Sequence, residues 1–276
     1  MTGTVDLSQL LAFYRDAGVD EALEAAPVDR FAEAAARAAE RAEAEAVRAT
    51  AAPAPRETIA PVAALPRAPA MVPDEAAVAE ARKRAAEAET LDALADAIAT
   101  FDALSLPQTA RRMVFGAGPT DASLMVIGDV PDRDEDETGE PFAGIAGKLF
   151  DRMLASIGLS REALRLTTAL PWRTPGQRVP TPHERACLAP FLARHVELVA
   201  PKTVLLMGGT ACDLTLSRRL PGARQKWHEL KAGSHEARAL VTFHPNLLLA
   251  QPQQKRLAWR DLLMLKGALE RADGHY

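Results

Sequence analysis

The sequence predicts an α/β domain, a three-layer sandwich around a mostly parallel, four-stranded central sheet, preceded by a helical and disordered N-terminal extension. From about residue 112, short apolar runs alternate with longer segments of helical pattern, which is typical of a parallel sheet covered by helices on both faces. Before that point, Ala-, Glu-, Arg- and Pro-rich segments contain few large apolar residues. The 276 residues suffice for one large domain with such an extension.

The N-terminal extension divides into three predicted parts. Residues 1–50 predict a helical segment, with an amphipathic helix over 7–25 that we expect either to recruit a protein partner or to dock on its own domain. The Ala/Pro-rich residues 51–73 predict a disordered linker. Residues 74–111 predict a helical lead-in, and a domain of residues 112–272 follows. The lead-in carries a core-facing apolar stripe of Leu91, Leu94, Ile98 and Phe101.

Four buried strands are predicted in the domain, over residues 124–128, 164–170, 203–209 and 239–243. Helices are predicted over residues 149–157 and 184–198, from about 210, and over 258–271. Ligands bind such sheets at the carboxyl ends of the strands. Because Gly128, Thr168, Gly208 and His244 lie at or near those ends, we expect a common pocket there.

The charge of the chain is unevenly distributed. Residues 1–110 carry 10 basic and 19 acidic residues, whereas residues 111–276 carry 23 basic and 18 acidic ones. Seven of those 18 acids lie between Asp129 and Glu140. A basic body around a small acidic mouth is compatible with a polyanion whose reacting group enters that mouth, and equally with a mixed soluble surface.

The cysteine count and hydropathy limit the possible classes of protein. Two cysteines, Cys187 and Cys212, suit a reducing cytosol and cannot supply a four-cysteine metal site. Neither an apolar run of 18 residues nor the layout of a secretory signal is present, so we expect no membrane segment. We expect a cytoplasmic monomer.

Two turns carry side chains suited to cutting a glycosidic bond. The turn that begins at Gly128 presents Asp129, whose carboxylate can orient or activate a water, although it can also be a local cap. His244 can hold a developing negative charge through a donated hydrogen bond. The following Asn246 and Leu247 extend that turn, and an apolar residue there can wedge into a base stack.

Three further segments favour contacts to a nucleic acid. Phe142 lies on a Gly/Pro loop and can stack on a flat base, or it can plug the core. Arg173 and Arg178 lie on a Pro/Gly loop suited to phosphate contacts, or on an ordinary exposed loop. Gly209 opens a helix whose amides can hold a phosphate, or it permits tight packing of strand and helix.

Taken in order, these segments resemble the uracil-DNA glycosylase superfamily, and most of all its iron–sulfur class, family 4. The matching strings are VFGAGP (114–119), MVIGDVPDRDED (125–136), GEPFAGIAGKLFDRML (139–154), PWRTPGQRVPTPHE (171–184), LLMGGTA (205–211) and FHPNLLL (243–249). The resemblance implies that uracil is flipped from DNA and cut from its sugar. It implies that Phe142 stacks on the base and that His244 stabilises the departing uracil anion.

The pocket departs from that family at three positions. Asp129 stands where the family has Glu, and Asp132 stands where the family has the final Gly of its turn, which adds a like charge that can raise a carboxylate pKa. Thr168 stands where an Asn reads the uracil edge, and a hydroxyl cannot make the same paired contact. The substrate is therefore expected to be uracil or a related damaged base. The alternative is a catalytically impaired DNA-binding relative.

The four cluster ligands of the family fall on apolar residues here, at what we call the cluster positions: Phe101, Leu104, Trp172 and Leu188. Cys187 is displaced from the last of them by one residue. A four-iron cluster needs four cysteine thiolates. We therefore expect no iron–sulfur cluster, no other metal and no cofactor.

Overall fold

The structure, a computed structural model, describes residues 73–272. The predicted helical segment over residues 1–50 and all but the last residue of the predicted linker lie outside the described residues. Within residues 73–272, none of the helices is both long and apolar enough to cross a membrane.

The helices and strands follow the predicted alternation. The helices are α1 (Glu75–Glu87), α2 (Leu91–Ala99), α3 (Leu106–Thr109), α4 (Arg133–Thr138), α5 (Gly144–Ala155), α6 (Pro182–Val199), α7 (Gly209–Leu216), α8 (Leu220–Ala223), α9 (Pro245–Ala250) and α10 (Lys255–Ala272). The strands are β1 (Leu124–Gly128), β2 (Arg165–Thr168), β3 (Thr203–Met207), β4 (Trp227–Ala232) and β5 (His235–Thr242). Short 3₁₀ turns occur at Arg161–Ala163, Pro175–Gln177 and Pro252–Gln254.

The sheet has five strands rather than the four predicted, in the order β2-β1-β3-β5-β4. The pairs β1–β2, β1–β3 and β3–β5 are parallel, which confirms the predicted α/β class. The additional strand, β4, pairs antiparallel with β5. Its sequence WHELKA is half polar because it is an edge strand, so it lacks the apolar run by which the other strands were predicted. Gly233 and Ser234 join the two strands of this hairpin.

Successive residues of the central strands face opposite sides of the sheet, and this alternation produces the three layers. Met125 and Ile127 of β1 belong to the apolar core on one face, together with α1, α2 and α6. Leu124 and Val126 belong to the core on the other face, together with α5 and α10. The sandwich therefore has a separate core on each face of its sheet.

The helical lead-in belongs to the same body as the sheet. Helix α1 buries Ala77, Ala81 and Ala85 in the core that also contains residues of α6. Asp74 caps α1 by accepting from the Ala76 amide, and its own amide donates to Nδ1 of His183 in α6 at 3.2 Å. The small Ala side chains allow the two helices to approach closely. Of the predicted apolar stripe, Leu94, Ile98 and Phe101 are buried.

Candidate active site

A cavity of about 310 Å³ opens where the carboxyl ends of β1 and β5 meet the first turn of α7. Its lining includes Asp129, Thr210, His244, Asn246 and Leu247, with Arg178 at one side. The structure therefore brings five of the sequence-predicted site residues into one cavity, from segments more than one hundred residues apart in the chain. A strand-end pocket of this kind is the usual ligand site of a parallel sheet.

His244 presents a buried hydrogen-bond donor at this cavity. It caps α9, and its Nδ1 accepts from the Asn246 amide at 3.3 Å, so a neutral ring carries its proton on Nε2. Among the described residues, Nε2 has no hydrogen-bond partner, although the side chain is almost fully buried. Burial lowers the pKa of His244, and the carboxylates of Asp129 and Asp132 oppose this only in part. The ring is therefore held as a neutral donor.

Asp132, which the resemblance matches to a glycine, is hydrogen-bonded to the turn that carries His244. Its Oδ2 accepts from Nδ2 of Asn246 at 2.8 Å. Its Oδ1 accepts from the amides of Asp134 and Glu135 at 2.9 and 3.1 Å, which caps α4. Three donors therefore stabilise the added charge, and the two turns that form the cavity are held together.

Asp129 lies at the cavity wall and caps helix α7. Its Oδ1 accepts from the Thr210 amide at 3.0 Å, and its Oδ2 accepts from the Gly209 amide at 3.1 Å. Gly208 has a φ of +119°, and a Cβ there would overlap the Asp129 carboxylate. The amide of Gly209, predicted to contact a phosphate, therefore donates to this carboxylate instead. Each carboxylate oxygen keeps lone pairs that can accept from a water.

Phe142 lies beneath His244 and is 1% exposed. Its ring stacks on Phe150 at a centroid distance of 4.1 Å and on His244 at 5.5 Å. Gly128 makes room for this ring, because a Cβ at Gly128 would lie 3.1 Å from Phe142 Cζ. The structure places Phe142 and Gly128 next to the catalytic candidate, while the stacking of Phe142 on a substrate base stays a prediction.

Thr168 lies outside this cavity. It is buried, and its hydroxyl donates to the Leu170 carbonyl at 2.7 Å. It lines a separate void of about 20 Å³ beside His195. In this conformation its hydroxyl satisfies the main chain, and its predicted contact to a base stays untested.

The two arginines of the Pro/Gly loop are placed differently. Arg178 lines the cavity and forms two hydrogen bonds to Glu184, at 2.6 and 2.8 Å. Arg173 lies 3.9 Å from Asp136, and its buried Nε has no partner among the described residues. Arg178 therefore lies at the mouth of the cavity and is held there by Glu184, while Arg173 does not line the cavity.

Glu135 is a structural residue of the site that the sequence reasoning did not identify. Its Oε1 accepts from the Phe142 amide at 2.6 Å, and its Oε2 accepts from the Asp132 amide at 2.9 Å. Burial raises the pKa of Glu135 to about 7, against the stabilising effect of these two amides. The signal was present as a capping box, with Asp132 followed three residues later by Glu. It was hidden by the surrounding run of acidic residues.

The cluster positions do not fit an iron–sulfur centre. All four side chains are buried in one apolar core, and Phe101 packs edge-to-face on Phe191 at 5.5 Å. Burial raises the pKa of the Cys187 thiol, and it raises the pKa of Cys212 to about 11, whereas cluster ligands are thiolates. Within residues 73–272, no group of three or more His, Cys, Asp or Glu side chains could hold a metal ion.

The sequence model of the uracil DNA glycosylase superfamily matches residues 115–263. The chain belongs to this superfamily. A type-4 uracil-DNA glycosylase of Archaeoglobus fulgidus is 34% identical over 174 residues, which cover 60% of this chain and 86% of the relative. Type-4 uracil-DNA glycosylases of Saccharolobus solfataricus and Thermotoga maritima are 28% and 26% identical, covering 66% of this chain and 87% and 96% of those relatives. The resemblance inferred from the motifs is thus confirmed, and the superfamily match contains the whole cavity.

Proposed function

We propose that this superfamily member is a DNA glycosylase of base excision repair, which hydrolyses the N-glycosidic bond of uracil or a related damaged base in DNA. The observation that carries the proposal is the buried, unpartnered Nε2–H of His244 at the cavity that Asp129 lines. A buried donor without a partner is costly to a folded protein unless a ligand uses it. A departing base anion would supply the missing acceptor.

In the proposed reaction, the nucleotide is flipped out of the stack and its base enters the cavity. Leu247 at the cavity rim then fills the space in the stack. As the bond to the sugar breaks, negative charge develops on the base, and the Nε2–H of His244 donates to the oxygen that carries it. Because the ring is neutral, the donor keeps its proton and stabilises the anion without protonating it.

Asp129 acts on the sugar side of the glycosidic bond that breaks. Its carboxylate orients a water for attack on the sugar carbon and stabilises the positive charge that develops on the sugar. The amides of Gly209 and Thr210 fix both carboxylate oxygens, so the shorter Asp side chain is rigidly placed. Arg178 at the cavity mouth, Asn246 and Leu247 are the proposed DNA contacts, whereas the Gly209 amide is taken up by Asp129 and Arg173 does not line the cavity.

The rest of the proposal concerns partners and cofactors. DNA is the partner, which the basic charge of the domain outside its acidic mouth supports. The enzyme works without an iron–sulfur cluster, since the cluster positions are apolar and buried. We propose a cytoplasmic monomer whose N-terminal segment has a protein partner or docks on its own domain.

The test is the release of base from labelled, uracil-containing oligonucleotides, single- and double-stranded, with alkali to reveal abasic sites. His244→Ala is expected to lower the rate by a factor of about 10² to 10³, as for removal of one donor to an oxyanion. The matched control is His235→Ala at the opposite end of β5, which should keep the wild-type rate. Equal rates in both variants would refute the assigned role of His244.

The second candidate is a DNA-binding relative without catalysis. It is favoured by Thr168, whose hydroxyl bonds to the Leu170 carbonyl and which does not line the cavity. This candidate predicts salt-sensitive DNA binding by the wild-type protein and no abasic product on either form of the substrate. Abasic product that depends on His244 excludes it.

A further inference from the structure

An apolar groove of about 250 Å³ lies between α5, α9 and α10. Leu149, Met153, Leu248 and Leu262 form its apolar wall. Its aromatic residue is Trp259, whose 42% exposure is unusual for so large an apolar side chain. The groove therefore offers an exposed flat ring with an apolar floor.

Two basic side chains line this groove. Arg152 and Lys255 line it, and Lys148, Arg256 and Arg260 are further exposed bases on the same two helices. The acids nearby are neutralised: Asp151 pairs with Arg161 at 2.9 Å, and the buried Asp261 pairs with Arg224 at 2.7 Å. The face therefore combines an aromatic ring with basic side chains. Both acids of α5 and of residues 255–263 are already paired with other arginines.

One short helix separates this groove from the candidate active site. Leu247 of α9 lines the active-site cavity, and the next residue, Leu248, lines the groove. The Cα atoms of consecutive residues are about 3.8 Å apart. The cavity and the groove thus lie on two sides of α9, so a DNA strand whose lesion nucleotide occupies the cavity would cross α9 to place a neighbouring base on Trp259.

We propose that the groove binds the single-stranded DNA that flanks the lesion, with a base stacked on Trp259 and phosphates on Arg152 and Lys255. This inference rests on the proposed function, since it takes DNA as the substrate. Proteins hold single strands without reading their sequence by means of exposed aromatic rings that are flanked by basic side chains. The groove therefore increases affinity for single-stranded substrate and adds no preference for the damaged base.

The binding test uses fluorescence anisotropy with a labelled, uracil-free single strand of twenty nucleotides. Trp259→Ala is expected to weaken binding at least fivefold, whereas Trp259→Phe is expected to keep most of the wild-type affinity because a ring remains. The matched control is Leu263→Ala, which removes an exposed apolar side chain of the same helix outside the groove. Arg152→Ala is expected to lower the slope of log affinity against log salt by about 0.7.

A second strand separates the contribution of base stacking to the affinity from the contribution of phosphate charge. In a strand of equal length whose nucleotides all lack their bases, the phosphates remain but nothing can stack on the ring. There, Trp259→Ala should bind as the wild-type protein does. An equal loss of affinity on both strands would show that Trp259 does not stack on bases and would overturn the proposal.

The two proposals fail in different ways. If the wild-type protein releases no uracil while Trp259→Ala still weakens binding of the base-carrying strand, the proposed activity fails and the groove assignment stands. If uracil release is intact and Trp259→Ala binds the strand as Leu263→Ala does, the groove assignment fails. Self-association that Trp259→Ala abolishes, with unchanged DNA binding, would assign the groove to a second copy of the chain and would also overturn it.

Discussion

The candidate active site and the cluster positions depart from the family in opposite ways. At the active site the departures keep hydrogen-bonding groups, and the structure satisfies them: Asp129 accepts from two amides, and Asp132 accepts from Asn246. At the cluster positions every departure is an apolar side chain buried in one core. The first region thus offers hydrogen-bonding groups at a cavity, whereas the second contributes apolar packing to the core.

Removing the charge of Asp129 is expected to have the largest effect on the reaction. Asp129→Asn is expected to lower the rate of uracil release by a factor of about 10² or more, because it removes the charge that orients the water. The NH₂ group of the variant side chain also cannot accept from the Gly209 or Thr210 amide that it would face, so one of these two hydrogen bonds is lost. Asp121→Asn, an exposed matched control before β1, should leave single-turnover rates unchanged. A rate for Asp129→Asn within a factor of three of the wild-type rate would show that the Asp129 carboxylate is not needed to orient the water.

The second prediction concerns the cluster positions. Trp172→Ala removes a buried side chain from the core, and we expect a loss of about 3–5 kcal/mol in the free energy of unfolding, measured by urea denaturation. Trp259→Ala is the matched control, because its side chain is exposed, and its loss should stay within about 0.5 kcal/mol. Similar losses in the two variants would show that Trp172 is not part of a packed core.

The smallest expected effect concerns the contact between the two turns of the active site. Asn246→Ala removes the donor to Asp132 Oδ2 but keeps the main-chain amide that donates to His244 Nδ1. The loss of one hydrogen bond of about 0.5–1.5 kcal/mol predicts a rate reduced about two- to tenfold, measured under saturating DNA. Gln251→Ala, an exposed amide just beyond α9, is the control. A rate equal to that of the control would show that the contact does not position His244.

The four parallel strands could be predicted from the sequence because buried parallel strands are continuous apolar runs, as in residues 124–128. The edge strand β4 could not, since the sequence WHELKA has neither a continuous apolar run nor a strict alternation of polar and apolar residues. The presence of Asp129 and His244 in one cavity followed from their strand-end positions. The hydrogen bonds of Asp129 to Gly209 and Thr210 did not, because they join residues 80 and 81 positions apart.

The presence of Phe142 at the site could be predicted from the sequence, but its burial could not. Its motif predicted an aromatic ring at the pocket, and the structure places the ring under His244. Its burial depends on Gly128, on Phe150 and on the Glu135 carboxylate that accepts from its amide, and no pattern within its own segment encodes these contacts. Tertiary packing, rather than local propensity, decides such placements.

The most direct test of the account is the rate of uracil release by purified protein whose iron content is measured on the same sample. We expect release that depends on His244 and Asp129 in protein with essentially no bound iron, and no change after treatment with a chelator. Release that rises in proportion to bound iron, toward about four irons per chain, would contradict it, because that is the content of a [4Fe–4S] centre.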